Sequence, residues 1–348
     1  MRVKKSPSIK DVARLAGISA GCVSKYLCKK PYVSKNTRKK IEQSILQLNY
    51  KPNLVARSLV SKKTNKIGLI VFDIKNPYQT EILSGIEEYI YQKNLNYRTL
   101  FVDMSIGEET GDKYIDSLLE DRVDGILSTS DKLSRVCLSY LQDINIPIIF
   151  IGRYPDHSDM DINFVTVDNY MGAYLLIRYL MDQGHRNIGY ISGPLDTLVT
   201  QNRLKGYKAA LSDSGIDIRE ENIIIEKEFN PESGKEGAKK LFLLKNKPSA
   251  IFCSNDFAAY GVIDFCYKKN LKIPEDVSIA GFDDIGFSSM DFVNLTTVRQ
   301  PIKEMVAIAT GELIKKIEGK DINITINKVL TPEIIIREST APGKKSIC

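Results

Sequence analysis

Between residues 8 and 50 the apolar positions recur with helical spacing. Ile9, Val12, Ala13 and Ala16 share one face, and Gly17 directly after them suits a tight turn out of a helix. Ser19 is placed to cap a second helix, with Val23 and Leu27 on its buried side at i, i+4. A third helix is predicted after Ser34, with Ile41, Ile45 and Leu48 inward and Arg38, Lys39 and Lys40 near its start, until Pro52 interrupts it. Two short helices joined by a glycine-containing turn and followed by a third make a helix-turn-helix domain.

From Ile67 the pattern changes to short apolar runs separated by amphipathic stretches. IGLIVF, YRTLFV, DGILS and IPIIFI read as buried parallel strands, and VTV, NIGYIS, NIIIE, SAIFC and SIAGF repeat the theme. Helices are expected between them, around residues 81–92, 170–183, 203–213 and 258–269. Strand and helix in alternation predict an α/β body with parallel sheets covered on both faces. Two such series imply two similar doubly wound lobes, in which ligands bind at the carboxyl ends of the strands.

Charge separates the two regions. Residues 1–63 hold sixteen Lys and Arg against Asp11 and Glu42, a net +14; with +6 for the whole chain, the remainder carries −8. A small basic module on an acidic body is what binding to a polyanion requires, and the helical spacing argues against a disordered basic tail. In a helix-turn-helix the second helix enters the major groove with its N-terminal, outward side chains on base edges. Those are Ser19, Ala20, Gly21, Ser24 and Lys25, while Ser19, Ser34 and Thr37 can donate to phosphates. Any one of these serines, taken alone, is equally a plain helix cap. After Pro52, Asn53 can cap a short helix to about Val60 that carries Leu54 and Leu59. A helix of about eight residues is marginal in water, so this one is expected to order only against DNA or a partner, or else to serve as a linker.

The chain has 348 residues, 43% apolar and 26% charged, as in an ordinary globular protein of two or three domains. No stretch approaches the ~18 consecutive apolar residues of a membrane span, and the basic N-terminus lacks the apolar run of a secretory signal, so a cytoplasmic protein is expected. The six cysteines (Cys22, Cys28, Cys137, Cys253, Cys266, Cys348) form no CxxC pair, and His157 and His185 lie far from Cys22 and Cys28. They read as ordinary thiols, with no metal and no cofactor. SGPLDT and LSGIEE are not phosphate loops, HExxH and GxSxG are absent, and two histidines allow no Ser/His/Asp set. An enzyme is not expected.

SIKDVARLAGIS, VSK, PYVSKNTRKKI and LNYKPNLVARSL, in that order, resemble the DNA-binding domain of the lactose-repressor/galactose-repressor (LacI/GalR) family. The resemblance continues through IGLIVFDIKNPY, RVDGIL, VDN, GHRNIGYISGP, RLKGY, NPESG, CSNDFAAYG, IPEDVSIAGFDD and LTTVRQP, from about Ser8 to Glu338. It implies a homodimer on a pseudopalindromic operator of double-stranded DNA, one recognition helix per half-site. It also implies paired hinge helices in the minor groove, where Leu59 matches a leucine wedged between base steps and Asn53 and Ala56 share its face. Cys22, Lys25 and Cys28 stand where the family has Thr, Arg and Asn. Lys25 keeps a cation without the bidentate fork that reads guanine, which shifts specificity toward Tyr32, the hinge and DNA shape. The C-terminal APGKKSIC has no leucine heptads, so no coiled-coil tetramer is expected.

Through the family the body resembles periplasmic sugar-binding proteins, with an effector between two lobes. The expected boundaries are 1–52 for the helix-turn-helix domain and 53–65 for the hinge helix and linker. The N-terminal lobe is then 66–163 with 297–324, and the C-terminal lobe 164–296 with 325–348. The resemblance places Asn76, Tyr78, Gln79, Arg153, Arg203, Phe229, Asn255, Asp283 and Gln300 at the effector. Gly152 stands where sugar binders often have Asp before the Arg, removing one hydroxyl acceptor. Arg, Asn and Asp side chains suit vicinal hydroxyls, and Tyr78 and Phe229 can stack on a sugar ring. Plain structural roles compete at three positions: a turn cap for Asp283, a surface position for Arg203, core for Phe229. A sugar-responsive repressor is the leading expectation. A regulator of the same fold controlled by a phosphoprotein or a purine-like corepressor is the second. A secreted sugar-binding transport protein is disfavoured by the basic module and the missing signal peptide.

Overall fold

In the computed structural model, which describes residues 7–27, 33–50, 63–106, 111–157 and 159–343, the chain divides into two compact units, Met1–Thr64 and Asn65–Cys348. The first unit carries α1 (Ile9–Ala16), α2 (Ala20–Leu27) and α3 (Lys35–Leu48). The Ser8 backbone N–H donates to the Asp11 carboxylate at 2.9 Å at the start of α1, and Gly17 ends it with φ +66°. Ser19 Oγ accepts from Cys22 N (3.2 Å) and Ser34 Oγ from Thr37 N (3.2 Å), capping the next two helices. α3 stops at Leu48, ahead of Pro52, because Asn49 takes the left-handed conformation (φ +46°) and the chain caps itself there. Val12, Ala13, Val23, Val33, Ile41 and Tyr50 form the core of the unit, with Ile9, Leu27, Ile45 and Leu48 packed around it.

The second unit holds two six-stranded sheets. The first has the order β11-β5-β4-β3-β1-β2, all parallel: β1 (Lys66–Val71), β2 (Arg98–Asp103), β3 (Gly125–Ser128), β4 (Ile148–Ile151), β5 (Phe164–Val167) and β11 (Asn327–Leu330). The second has the order β12-β10-β9-β8-β6-β7: β6 (Ile188–Ser192), β7 (Ile223–Ile225), β8 (Ala250–Cys253), β9 (Ser278–Asp283), β10 (Thr296–Arg299) and β12 (Glu333–Ile335), the last antiparallel to β10. Helices cover both faces of each. α4 (Pro77–Gln92) and α11 (Ile302–Ile317) pack on one face of the first sheet, α5 (Asp112–Glu120) and α6 (Arg135–Asp143) on the other. α7 (Asn169–Asp182) and α8 (Leu198–Asp213) face α9 (Pro231–Phe242) and α10 (Asp256–Lys268) across the second. The fold is the doubly wound pair of lobes expected from the alternating pattern.

Strand pairing moves three elements across the expected lobe boundaries. β5 begins at Phe164 but pairs with β4 (Phe150↔Phe164) and β11, so it belongs to the first lobe rather than the second. β10 pairs with β9 (Val298↔Phe282) and stays in the second lobe, which removes its residues from the 297–324 segment expected in the first. β11 pairs with β5 and belongs to the first lobe, not the second. The physical reason is shared: each crossing is made after a strand has completed its ladder, not before. Among the described residues no helix is long and apolar enough to cross a membrane, and no group of His, Cys, Asp and Glu could hold a metal ion. Cys22, Cys137, Cys253 and Cys266 are free thiols.

Candidate functional site

The carboxyl ends of the strands converge on one cavity lined by Asn76, Tyr78, Gly152, Arg153, Val199, Arg203, Phe229, Asn255, Asp283 and Gln300. Eight of the nine residues assigned to an effector lie in this set; the ninth, Gln79, does not. It is buried one position past Tyr78 on α4, where the ~100° helical step turns it away, and its Oε1 has no hydrogen-bond partner. As placed, the side chains leave a cavity of about 20 Å³, room for a single water. Asn76 and Phe229 also line a wider cleft of about 920 Å³, with Phe72 beside them.

Local folding rules put these groups in place. Asn76 follows β1 and caps α4, its Oδ1 accepting from Tyr78 N at 3.0 Å. Asn255 follows β8 and caps α10 the same way (Ala258 N, 3.1 Å), while its Nδ2 donates to Phe229 O at 3.2 Å and anchors that loop. Phe229 lies against Gly193, where a Cβ would stand 2.4 Å from its ring, so only glycine admits the aromatic there. Gly152, after β4, has φ +77°, and a Cβ on it would stand 2.7 Å from the Tyr78 hydroxyl. The position where sugar binders carry Asp is therefore closed twice, by backbone conformation and by Tyr78.

A hydrogen-bonded chain crosses the cavity. Tyr78 Oη donates to Gln300 Oε1 (3.1 Å), and Gln300 Nε2 donates to Asp283 Oδ1 (2.7 Å). Arg203 has partners on each of its nitrogens: Nε donates to Asn169 Oδ1 (2.8 Å), Nη1 to Ser254 O, Nη2 forms an ion pair with Asp283 at 3.7 Å, and the guanidinium lies over Phe282. It is buried, so the surface role is excluded. Asp283 ends β9 with φ +131°, a conformation that costs an L-residue of order 1–3 kcal/mol and that clusters at functional sites. Burial pushes its carboxyl up to about 7, against the pull of Arg203. Behind it Asp256, holding Ile285 N, Ser288 Oγ and Thr297 Oγ1, is raised by burial as well, to about 6. Arg153 differs from Arg203: its guanidinium lies over the rings of Phe72 (4.2 Å) and Phe229 (4.3 Å), and its buried Nη1 has no acceptor. Phe72, Gly152, Val199, Asn169 and Ser254 were not in the expected set; Phe72 read as the end of an apolar strand.

In the first unit Ser19, Gly21 and Lys25 are exposed along α2 and Ala20 and Ser24 are half-buried. Ser34 is exposed at the start of α3, its hydroxyl 2.8 Å from that of half-buried Thr37. Tyr26 Oη donates to Glu42 (2.8 Å), tying α2 to α3 and leaving the N-terminal half of α2 clear of that contact. Tyr32, Asn53, Ala56 and Leu59, with the expected hinge helix, lie outside the described residues.

Residues 8–53 match the family model described as bacterial regulatory proteins, lacI family, and residues 177–340 match a periplasmic binding protein-like domain. The HTH-type transcriptional repressor PurR of Actinobacillus pleuropneumoniae serotype 3 (strain JL03) is 34% identical, over 95% of this chain and 98% of that protein. The HTH-type transcriptional regulator DegA of Bacillus subtilis (strain 168) is 36% identical, over 96% and 98%. The crystal structure of the Lac repressor dimer bound to operator and the anti-inducer ONPF superposes with a TM-score of 0.83 at 25% identity, over 97% of this chain and 100% of that one.

Proposed function

The chain belongs to the lacI family of bacterial regulatory proteins, DNA-binding transcriptional regulators with an effector-binding domain rather than enzymes, and we propose that a sugar held between its two lobes sets its affinity for operator DNA. The observation that carries the sugar reading is the convergence of Asn76, Arg203, Asn255, Asp283 and Gln300 with the rings of Tyr78 and Phe229 on one cavity at the strand ends. Planar, charge-assisted donors and acceptors around an aromatic face are what vicinal hydroxyls and a pyranose ring require. A purine corepressor is the second reading, favoured by relatives named PurR and by the flat faces of Phe72 and Phe229.

On the DNA side, Ser19, Ala20, Gly21, Ser24 and Lys25 meet base edges in the major groove, while Ser34 and Thr37 fix register on phosphates. The Ser34 and Thr37 hydroxyls share one hydrogen bond, which leaves one hydrogen of the pair to give to a phosphate. The protein acts as a homodimer on a pseudopalindrome, with one recognition helix per half-site. Support for a second copy comes from the exposed apolar side chains of Tyr267, Phe287 and Phe292, which lie beside half-buried Phe257 and Tyr260. Its work on DNA places it in the cytoplasm. Effector occupancy alters the disposition of the lobes and thereby the grip on the operator, a coupling typically of about 1–3 kcal/mol that is necessarily reciprocal.

A thermal-shift screen against pentoses, hexoses, disaccharides, sugar phosphates and purines tests the reading. Selective stabilisation by one sugar, lost in Asp283→Ala, places the effector in this cavity. Stabilisation by a purine or a phosphoprotein alone leaves the DNA-binding function standing and removes the sugar.

A further inference from the structure

Both arginines of the cavity are buried, and they are unequally partnered. Arg203 has Asn169, Ser254 and Asp283 around it. Arg153 is 9% exposed and makes no side-chain hydrogen bond or ion pair with any described residue; its Nη1 is sealed from solvent with no acceptor. The cavity therefore contains two guanidinium groups and one carboxylate, and that carboxylate is already bonded to Gln300 and faces Arg203. The residue beside Arg153 supplies no counter-charge, because Gly152 has φ +77° and no room for a Cβ beside Tyr78. The oxygens of Asn76 and Asn255 are committed to helix caps.

A buried cation without a partner is costly, by several kcal/mol in general, and the rings of Phe72 and Phe229 offset only part of that. A guanidinium held over two rings is a fixed, planar fork, the geometry that takes a carboxylate or phosphate in two parallel bonds. We propose that the effector carries an oxyanion, a carboxylate or phosphate group on its polyhydroxylated body, and that Arg153 receives it. This rests on the sugar reading above and narrows it: hydroxyl groups alone leave the second cation of the cavity unneutralised.

The test is calorimetric titration of the full chain with matched pairs: glucuronate and glucose 6-phosphate against glucose, galacturonate against galactose, ribose 5-phosphate against ribose, with inorganic phosphate and acetate alone. In at least one pair the acidic member binds a hundredfold or more tighter than the neutral one, and whether it is a uronate or a phosphate identifies the oxyanion. Arg153→Gln abolishes that preference and Arg153→Lys, which keeps the charge, retains part of it. Arg153→Gln does not lower the unfolding transition of the ligand-free protein, since it removes a cation that has no partner there, and a lowered transition would show that Arg153 is already neutralised within the protein. A neutral sugar that binds as tightly as its acidic partner, with both weakened alike by Arg153→Gln, overturns the oxyanion and leaves the sugar pocket standing. Binding of a purine and of no sugar overturns both. Binding of inorganic phosphate alone, unchanged by Arg153→Gln, also overturns the proposal.

Discussion

Tyr78 donates its phenolic hydrogen to Gln300 Oε1 at 3.1 Å, so the first turn of α4, packed on the first sheet, is bonded directly to the segment that follows β10 in the second. Both residues are buried. Tyr78→Phe leaves the Gln300 oxygen without a donor and is expected to cost about 1–3 kcal/mol of stability. Urea unfolding of the ligand-free protein measures it; an unchanged midpoint would mean the bond contributes nothing to holding the lobes together.

Gly152→Ala combines two penalties: a left-handed backbone, about 1–2 kcal/mol, and a methyl group 2.7 Å from the Tyr78 oxygen. The nearest ring carbons of Tyr78 are 3.7 Å from that methyl position, an ordinary contact. In a Tyr78→Phe background, then, Gly152→Ala carries only the backbone cost. A double-mutant cycle by thermal unfolding is expected to be non-additive in this sense; strict additivity would show that the two residues do not meet.

Asp283 and Asp256 set a pH dependence whose sign is opposite to that of ordinary salt-bridged carboxylates. Burial raises Asp283 to about 7 and Asp256 to about 6, from a usual value near 3.8. Between pH 4 and 7 the folded chain therefore keeps protons that the unfolded chain has released. The stability these groups contribute is complete below about pH 4 and is lost as pH rises through 6 and 7. Asp283→Asn is expected to flatten the upper part of that window and leave the Asp256 part. Melting temperatures of both proteins from pH 5 to 8 provide the comparison, and parallel curves would refute the assignment.

The strands that were legible in the sequence are those whose buried faces are apolar, such as IGLIVF and SAIFC. β10 escaped hydropathy because two of its three buried residues are threonines. Thr296 is satisfied by Arg337 O and Thr297 by Asp256, bonds made by residues far away in the chain. β11 and β12 are edge strands of four and three residues, too short for their apolar positions to form a pattern distinguishable from loop. In the cavity, Asn255, Asp283 and Gln300 came from the family resemblance, and the structure sets each of them at or just past the carboxyl end of a strand. Phe72 was not, since an aromatic closing an apolar run gives no sign that its ring meets an arginine from another loop. Gln79 was misplaced by adjacency: along a helix the neighbour of a cavity residue faces elsewhere.

Lys25 is exposed on α2 and makes no ion pair among the described residues. Lys25→Gln is expected to weaken operator binding about tenfold and, if the ammonium meets a phosphate, to lower the salt slope by about one. Filter binding across a salt series reads both numbers, and an unaltered affinity would remove Lys25 from the interface.

Ser34 caps α3 through Thr37 N and shares a hydrogen bond with the Thr37 hydroxyl. Ser34→Ala is expected to cost about 1 kcal/mol of stability in the first unit, and to weaken DNA binding more than that loss explains if the hydroxyl also reaches a phosphate. Unfolding of the unit and operator titration separate the two contributions.

The small size of the cavity has a kinetic consequence. With space for about one water, it takes the proposed sugar into its depth, beyond the wider cleft beside it, only after Phe229, Arg153 or the lobes themselves have moved. Entry is then a two-step event, opening followed by capture. The apparent affinity is the intrinsic one reduced by the fraction of open molecules. For an effector bound in this cavity, the observed association rate is expected to climb with effector concentration only until opening becomes limiting and then level off, a tempo set by the protein's own side chains rather than by how much effector surrounds it.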